Sequence, residues 1–237
     1  MRFAKDIGAN AYRLTALLAV TAAAVAVSGC ICCCGLDGYF SKMKGPVTDI
    51  APPGELSVGG KSYTLQYSYD YLNRSAAKAG FRAFIPRIGY SPDMYGRSVD
   101  QMMDVGAVDQ YKWFEYNDAS GRAGFGGFLA KAGSPFVVDS GIHSLNSMLG
   151  VSMGIINDPY LNQGGASNLT KAGTTKAGGG GDLYRFTADY NGTVSDCYFV
   201  MGRYSNMYVA VYSFESFEVA ENVTEQAVAW IDMAASS

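Results

Sequence analysis

A serine in the setting "GVSMG", residues 150–154, is the clearest match to a catalytic nucleophile in this chain. The G-x-S-x-G pattern works by lifting a serine hydroxyl onto a sharp strand-to-helix turn, where a histidine takes its proton. The chain has one histidine, His143, nine residues before Ser152, whereas the pattern places serine first, then the acid, then histidine. On one helix, nine positions at 100° put the two side chains about 180° apart and about 13.5 Å from each other along the axis. Residues 142, 145, 148, 149, 152, 153 and 156 fall in one helical stripe, so the segment 140–156 reads as a helix. Ser152 is then a small packing residue. A serine hydrolase using Ser152 stands as the second reading of the chain.

Other chemistry-bearing residues lead less far. "GGKS" at 59–62 lacks the phosphate-loop glycine five positions earlier, where Glu55 stands, and a strand rather than a helix follows Ser62. Asp100, Asp104 and Asp109 are unevenly spaced and read as solvated carboxylates. A metal site needs three or four converging ligands, and His143 has no second histidine to join it. Neither a metal nor a cofactor is expected. Seventeen tyrosines and two tryptophans mostly follow strand alternation, where aromatics favour a sheet core over a binding platform. Asn-x-Ser/Thr sequons occur at Asn73, Asn168, Asn191 and Asn222. Asn73 and Asn168 are the positions left for N-glycosylation, since Asn191 reads as a turn and Asn222 as a helix cap.

The cysteines speak about location. "VSGCICCCG" at 27–35 follows sixteen uncharged residues, 14–29, headed by Arg2, Lys5 and Arg13 against Asp6. A basic head and an apolar core make a secretory signal. As a helix those sixteen residues reach about 24 Å, short of a hydrocarbon core of about 30 Å. Counted to Leu36 the uncharged run is 23 residues, long enough to span, so a retained membrane anchor is the alternative. The join decides in favour of the signal: "VSGC" resembles the lipobox of bacterial and archaeal lipoproteins, with Val27 in place of the commoner leucine. That resemblance implies cleavage after Gly29, a diacylglyceryl thioether on Cys30, and a cell-membrane location for an exported chain. Two acyl chains hold where one does not, because each buried methylene contributes about 0.8 kcal/mol. Adjacent Cys32, Cys33 and Cys34 cannot easily converge on one zinc ion and read as small apolar residues at the lipid surface. Cys197, in "DCYFV", is expected on one face with Phe199 and Met201, buried and unpaired.

Composition narrows the classes further. The chain is 49% hydrophobic and only 16% charged, so it has ample surface for a core. Removing residues 1–29 takes away three basic residues and one acidic residue, leaving 15 basic and 20 acidic, a net of −5. No basic cluster exists to replace counterions along a phosphate backbone, so nucleic acid is not an expected partner.

These residues must be positioned by an exported domain. Residues 30–60, punctuated by Gly45, Pro46, "APPG" and Gly59 with Gly60, read as a flexible tether. The glycines at 59 and 60 are also placed to close a hairpin onto "ELSV". A single α+β domain then covers 61–237. "YTLQYSYDY" alternates strictly, one face buried and one wet. "GFRAFIPRIGY" reads as a second strand, "VDQMMDV" as a short helix, and "QYKWFEYND" and "GRAGFGGFLAK" as strands. Residues 162–182 read as a Gly-rich flexible loop. "LYRFTADY" and "TVSDCYFVM" flank Asn191 and Gly192 as a hairpin, and "MYVAVYSF" is apolar on both faces and so central. A closing helix at about 222–235 starts at Asn222, with Glu225 completing a capping box. An antiparallel sheet with covering helices is α+β. The element order of about the last fifty residues resembles the Mog1/PsbP-type domains of many exported lipoproteins, a likeness that carries over no functional residue. The function expected is a lipid-anchored, non-catalytic binding or interaction module for an envelope protein or an apolar ligand. A purely structural envelope component is the further alternative.

Overall fold

Strict alternation in residues 63–71 does form a strand, but a bulge turns it over halfway. β2 (Lys61–Tyr71) pairs with β3 (Val108–Asn117), and the register slips between Leu65 and Tyr67. Because the side-chain period is two, one extra residue moves every later side chain to the other face. Tyr63 and Leu65 therefore join one core, while Tyr71 joins the core on the opposite face.

The computed structural model describes residues 41–84, 86, 100, 104, 107–158, 166–190 and 192–236. Within them the chain is α+β, with one eight-stranded antiparallel sheet. Its other strands are β1 (Glu55–Val58), β4 (Ala123–Ala132), β5 (Ala166–Thr175), β6 (Gly181–Tyr190), β7 (Thr193–Tyr204) and β8 (Met207–Ser213). The order across the sheet is β1-β2-β3-β4-β8-β7-β6-β5, so β8 is central, as its two apolar faces require. Gly59 and Gly60, both at positive φ, close the β1–β2 hairpin, which removes the phosphate-loop reading. The β6–β7 hairpin forms as read, with Gly192 at φ 81°.

Each face of the sheet has its own cover. Helix α3 (Phe217–Ser236) lays Val223, Ala227, Trp230 and Ile231 on Phe114, Tyr116, Phe125, Leu129, Val209 and Val211. Helices α1 (Arg74–Phe84) and α2 (Pro135–Ile156) cover the other face, over Tyr111, Trp113, Phe128, Cys197, Tyr208 and Tyr212.

Four expectations need correction. The strand expected over residues 80–90 is helix up to Phe84, its residues 85 and 87–90 lying outside the described set. Asn73 caps that helix by accepting the Ala76 N–H at 2.9 Å, and an alanine-rich run then favours helix over strand. The loop expected over 162–182 contains β5, a short 3-10 turn (Ala177–Gly179) and the start of β6; 162–165 lie outside the described residues. The closing helix starts at Phe217, where the Ser216 hydroxyl accepts the Val219 N–H at 3.2 Å. Asn222 is an interior residue of that helix, its amide donating to the Glu218 carbonyl at 3.0 Å.

The tether is the fourth. Residues 41–54, expected to be flexible, form a strap across the α3 face of the sheet. Met43, Val47 and Ile50 are buried in that core. Asn206, in the β7–β8 turn, fastens the strap from both sides. Its Oδ1 accepts the Met43 N–H at 3.1 Å, and its Nδ2 donates to the Met43 carbonyl at 2.9 Å. Lys131 Nζ donates to the carbonyls of Lys44 and Gly45 at 2.9 and 2.6 Å.

Candidate functional site

The serine pattern lies in a setting that cannot work as an elbow. Residues 150–154 fall wholly inside α2, which also carries His143 with its side chain exposed. Both residues on one helix are about 13.5 Å apart along its axis, beyond the reach of a proton-transferring hydrogen bond of about 2.6–3.2 Å. The chain is expected to take up no serine-reactive phosphonate. Stoichiometric labelling that disappears in Ser152→Ala would overturn this.

The aspartates seen in the sequence do meet cations. Arg74, Lys78 and Arg82 stand at four-residue intervals on α1 and pair with Asp109 at 2.8 Å, Asp104 at 2.6 Å and Asp100 respectively. These ladder pairs are solvent-facing, worth about 0–1 kcal/mol each. Asp100 and Asp104 are helical; the rest of the helix expected over 99–105 lies outside the described residues.

Cys30, with Cys32, Cys33 and Cys34, also lies outside the described residues. Asn73 and Asn168 are exposed; Asn73 serves as the α1 cap, and Asn168 sits at φ 56° with its amide 3.4 Å from the Thr187 hydroxyl. Cys197 is buried and free, and burial pushes its thiol pKa up. Since the thiolate is the reactive form, alkylation of the native chain is expected to be slow and to accelerate on unfolding. Fast native labelling would count against this placement.

What composition and spacing did not point to is a buried carboxylate. Glu115 is 2% exposed on β3, on the face covered by α1 and α2. In the register Glu115 stands opposite Gly126 of β4, and Gly126 opposite Tyr212 of β8. A Cβ at Gly126 would collide with the Tyr212 hydroxyl, so the glycine leaves the gap through which this phenol crosses β4. The Tyr212 O–H donates to Glu115 Oε2 at 3.0 Å. The Tyr190 O–H, carried in from the end of β6, donates to the same oxygen. Trp113 Nε1 lies 3.5 Å from the Tyr212 oxygen. Burial, reinforced by the Tyr190 hydroxyl and the Glu115 charge, raises the Tyr212 pKa well above the ordinary value, so the phenol stays a donor. Tyr190 and Tyr212 are buried as well, and through Glu115 the cluster ties the end of β6 and the middle of β8 to β3.

The same aromatic layer opens at its other end. Trp113 stacks on Phe128 inside, at 6.2 Å between ring centroids, and meets Tyr67 and Tyr69 outside at 6.0 and 5.7 Å. Tyr69 is 45% exposed. Part of its ring surface therefore faces outward from the stack with Trp113.

Among the described residues no three His, Cys, Asp or Glu side chains come together as a metal site would need. The sequence signal for Glu115 was its place in "YKWFEY", an acid in a strand apolar on both faces, opposite the glycines of "GFGG". No protein-family model matches this chain, and no curated protein or solved structure is found to be similar to it.

Proposed function

We propose that this is a lipid-anchored cell-envelope protein whose α+β domain is a non-catalytic binding module. Cys30 carries the anchor, and the open end of the aromatic layer at Tyr69 meets an apolar ligand or an envelope protein. The observation that carries the reading is the strap. The chain that leaves Cys30 is built into the core from Met43 onward, so only residues 31–42 separate the anchor from the buried core. Such a connection suits a domain held at a membrane surface.

Lipid labelling tests the anchor. Cys30→Ser is expected to abolish incorporation of labelled fatty acid and leave an uncleaved precursor, while replacing Cys32, Cys33 and Cys34 together leaves both intact. Labelling that survives the Cys30 change would return the 23-residue span as the membrane attachment. Mass spectrometry of small molecules retained by the purified chain, compared with Tyr69→Ala, tests the binding surface.

A further inference from the structure

The strap enters at one end of the sheet, and that end differs from the other. It is formed by the close of β2, β4, β5 and β7 and by the start of β3, β6 and β8. Helix α3 finishes there as well, because the Tyr204 hydroxyl donates to Asp232 at 2.7 Å. Three of the large apolar side chains that remain exposed among the described residues gather at this end. Leu72 (49%) follows β2, Phe136 (49%) opens α2 just after β4, and Met233 (62%) adjoins Asp232. Lys44 and Lys176 are exposed at the same end without a carboxylate partner among the described residues. At the opposite end stands Val194, ten residues up β7 from Tyr204, about 33 Å away at the rise of a strand.

We propose that this end of the sheet lies against the bilayer that holds the anchor, with Leu72, Phe136 and Met233 entering the headgroup region. The inference rests on the lipidation of Cys30 proposed above. Its warrant is the length of chain available and where it ends. From Cys30 to Ser41 there are eleven residue steps, at most about 40 Å of fully extended chain. The strap then locks the exit point at Lys42 and Met43: the Lys42 N–H donates to the Ser205 hydroxyl at 3.0 Å and its ammonium lies 3.3 Å from Asp232. An acyl chain in the membrane thus keeps this end within about 40 Å of the lipid, and the apolar side chains there supply the contact that turns it toward the bilayer. Apolar side chains at such an end can seat about 5–10 Å into the headgroup and acyl boundary, and neighbouring lysines meet anionic headgroups. A second chemical signal beside the anchor lengthens residence on the membrane and fixes orientation.

The test uses the full chain, processed in a lipoprotein-producing cell, with Cys32, Cys33 and Cys34 replaced by serine. Leu72→Cys, Phe136→Cys, Met233→Cys and Val194→Cys each receive an environment-sensitive fluorophore, with Cys197 left in the core. The proteins are reconstituted into vesicles of phosphatidylglycerol and phosphatidylethanolamine carrying a shallow spin-labelled lipid. Quenching is expected to be several-fold stronger at positions 72, 136 and 233 than at 194. Co-flotation with equal quenching at all four positions overturns the orientation alone. Probes at 72, 136 and 233 that are shielded without lipid quenching assign this end to a protein partner and overturn it too. A chain that carries no lipid on Cys30 and does not float overturns the anchor reading, and the orientation with it.

Discussion

Asn206→Ala is expected to destabilise the domain by about 3–5 kcal/mol, because it strands two buried backbone groups at once. Asn206 is 1% exposed, and Met43, which it grips, is also 1% exposed. Without the carboxamide, the Met43 N–H and carbonyl lose the partners at 3.1 and 2.9 Å that they have in the folded chain. A buried backbone group left without a partner costs about 1–3 kcal/mol. At roughly 2–4 °C per kcal/mol for a domain of this size, the melting temperature falls by about 10 °C. Trypsin cleavage at Lys42 and Lys44 should appear early, since the strap loosens before the sheet. Ser205→Ala is the control: its hydroxyl accepts the Lys42 N–H at an exposed position, where the loss is within about 0.5 kcal/mol. A fall of less than about 2 °C for Asn206→Ala would show that the strap is not held by this residue.

The strap also shows where the sequence ceases to be legible. Gly45, Pro46 and "APPG" do break secondary structure, and a chain so punctuated reads as a tether. Breaking regular structure does not prevent burial, however. Met43 packs just before the breakers and Val47 and Ile50 between them, and the backbone groups freed there are satisfied by Asn206, Gln110 and Lys131, far away in sequence. No local pattern announces partners more than 60 residues distant. The end of the sheet that carries Leu72, Phe136 and Met233 belongs to the same class of feature, since these residues reach one end only through the strand order and the docking of the last helix on Tyr204.

Strands were legible wherever alternation was uninterrupted. The β6–β7 hairpin, β8 at the centre and the stripe of Val223, Ala227 and Ile231 follow directly from periodicity. β5 was hidden because its register shifts twice, between Ser167 and Thr170 and between Lys171 and Gly173. Two bulges within ten residues erase a period of two, and an edge strand lacks the apolar content that reveals a central one. α1 was missed for a different reason. Phe81 and Phe84 suit a strand when read from Gly80 onward, and the helical run becomes visible only from its cap at Asn73. The Glu115 cluster depends on Gly126 and on two hydroxyls from β6 and β8, a meeting that no spacing in the chain foretells.

Alkaline unfolding is the second large effect expected, and it follows from the tyrosines. Tyr111, Tyr116, Tyr208 and Tyr212 are at most 7% exposed, and burial raises the pKa of each hydroxyl well above its ordinary value. An unfolded chain ionises its tyrosines near pH 10. Above that pH the unfolded state has lost protons that the folded state keeps, so stability falls as pH rises, by about 1.36 kcal/mol per pH unit for each such group. Four groups together remove about 6 kcal/mol by pH 11, comparable with the 5–15 kcal/mol that holds a typical domain. Tyr184, raised to about 12 by burial, and the buried Cys197 thiol act in the same direction. The part of the tyrosinate absorbance that belongs to the buried tyrosines should therefore rise in one steep step together with the loss of circular dichroism, between about pH 10.5 and 11.5. Ionisation of all the tyrosines, the buried ones included, centred near pH 10 with the fold intact would sink this account. Tyr111→Phe sharpens the test, because the buried Tyr111 hydroxyl lies beside the stacked Tyr71 ring and makes no hydrogen bond of ordinary geometry among the described residues. The change removes a group that ionises on unfolding and a polar atom that burial penalises. The variant should be at least as stable at neutral pH, and its alkaline midpoint should move upward.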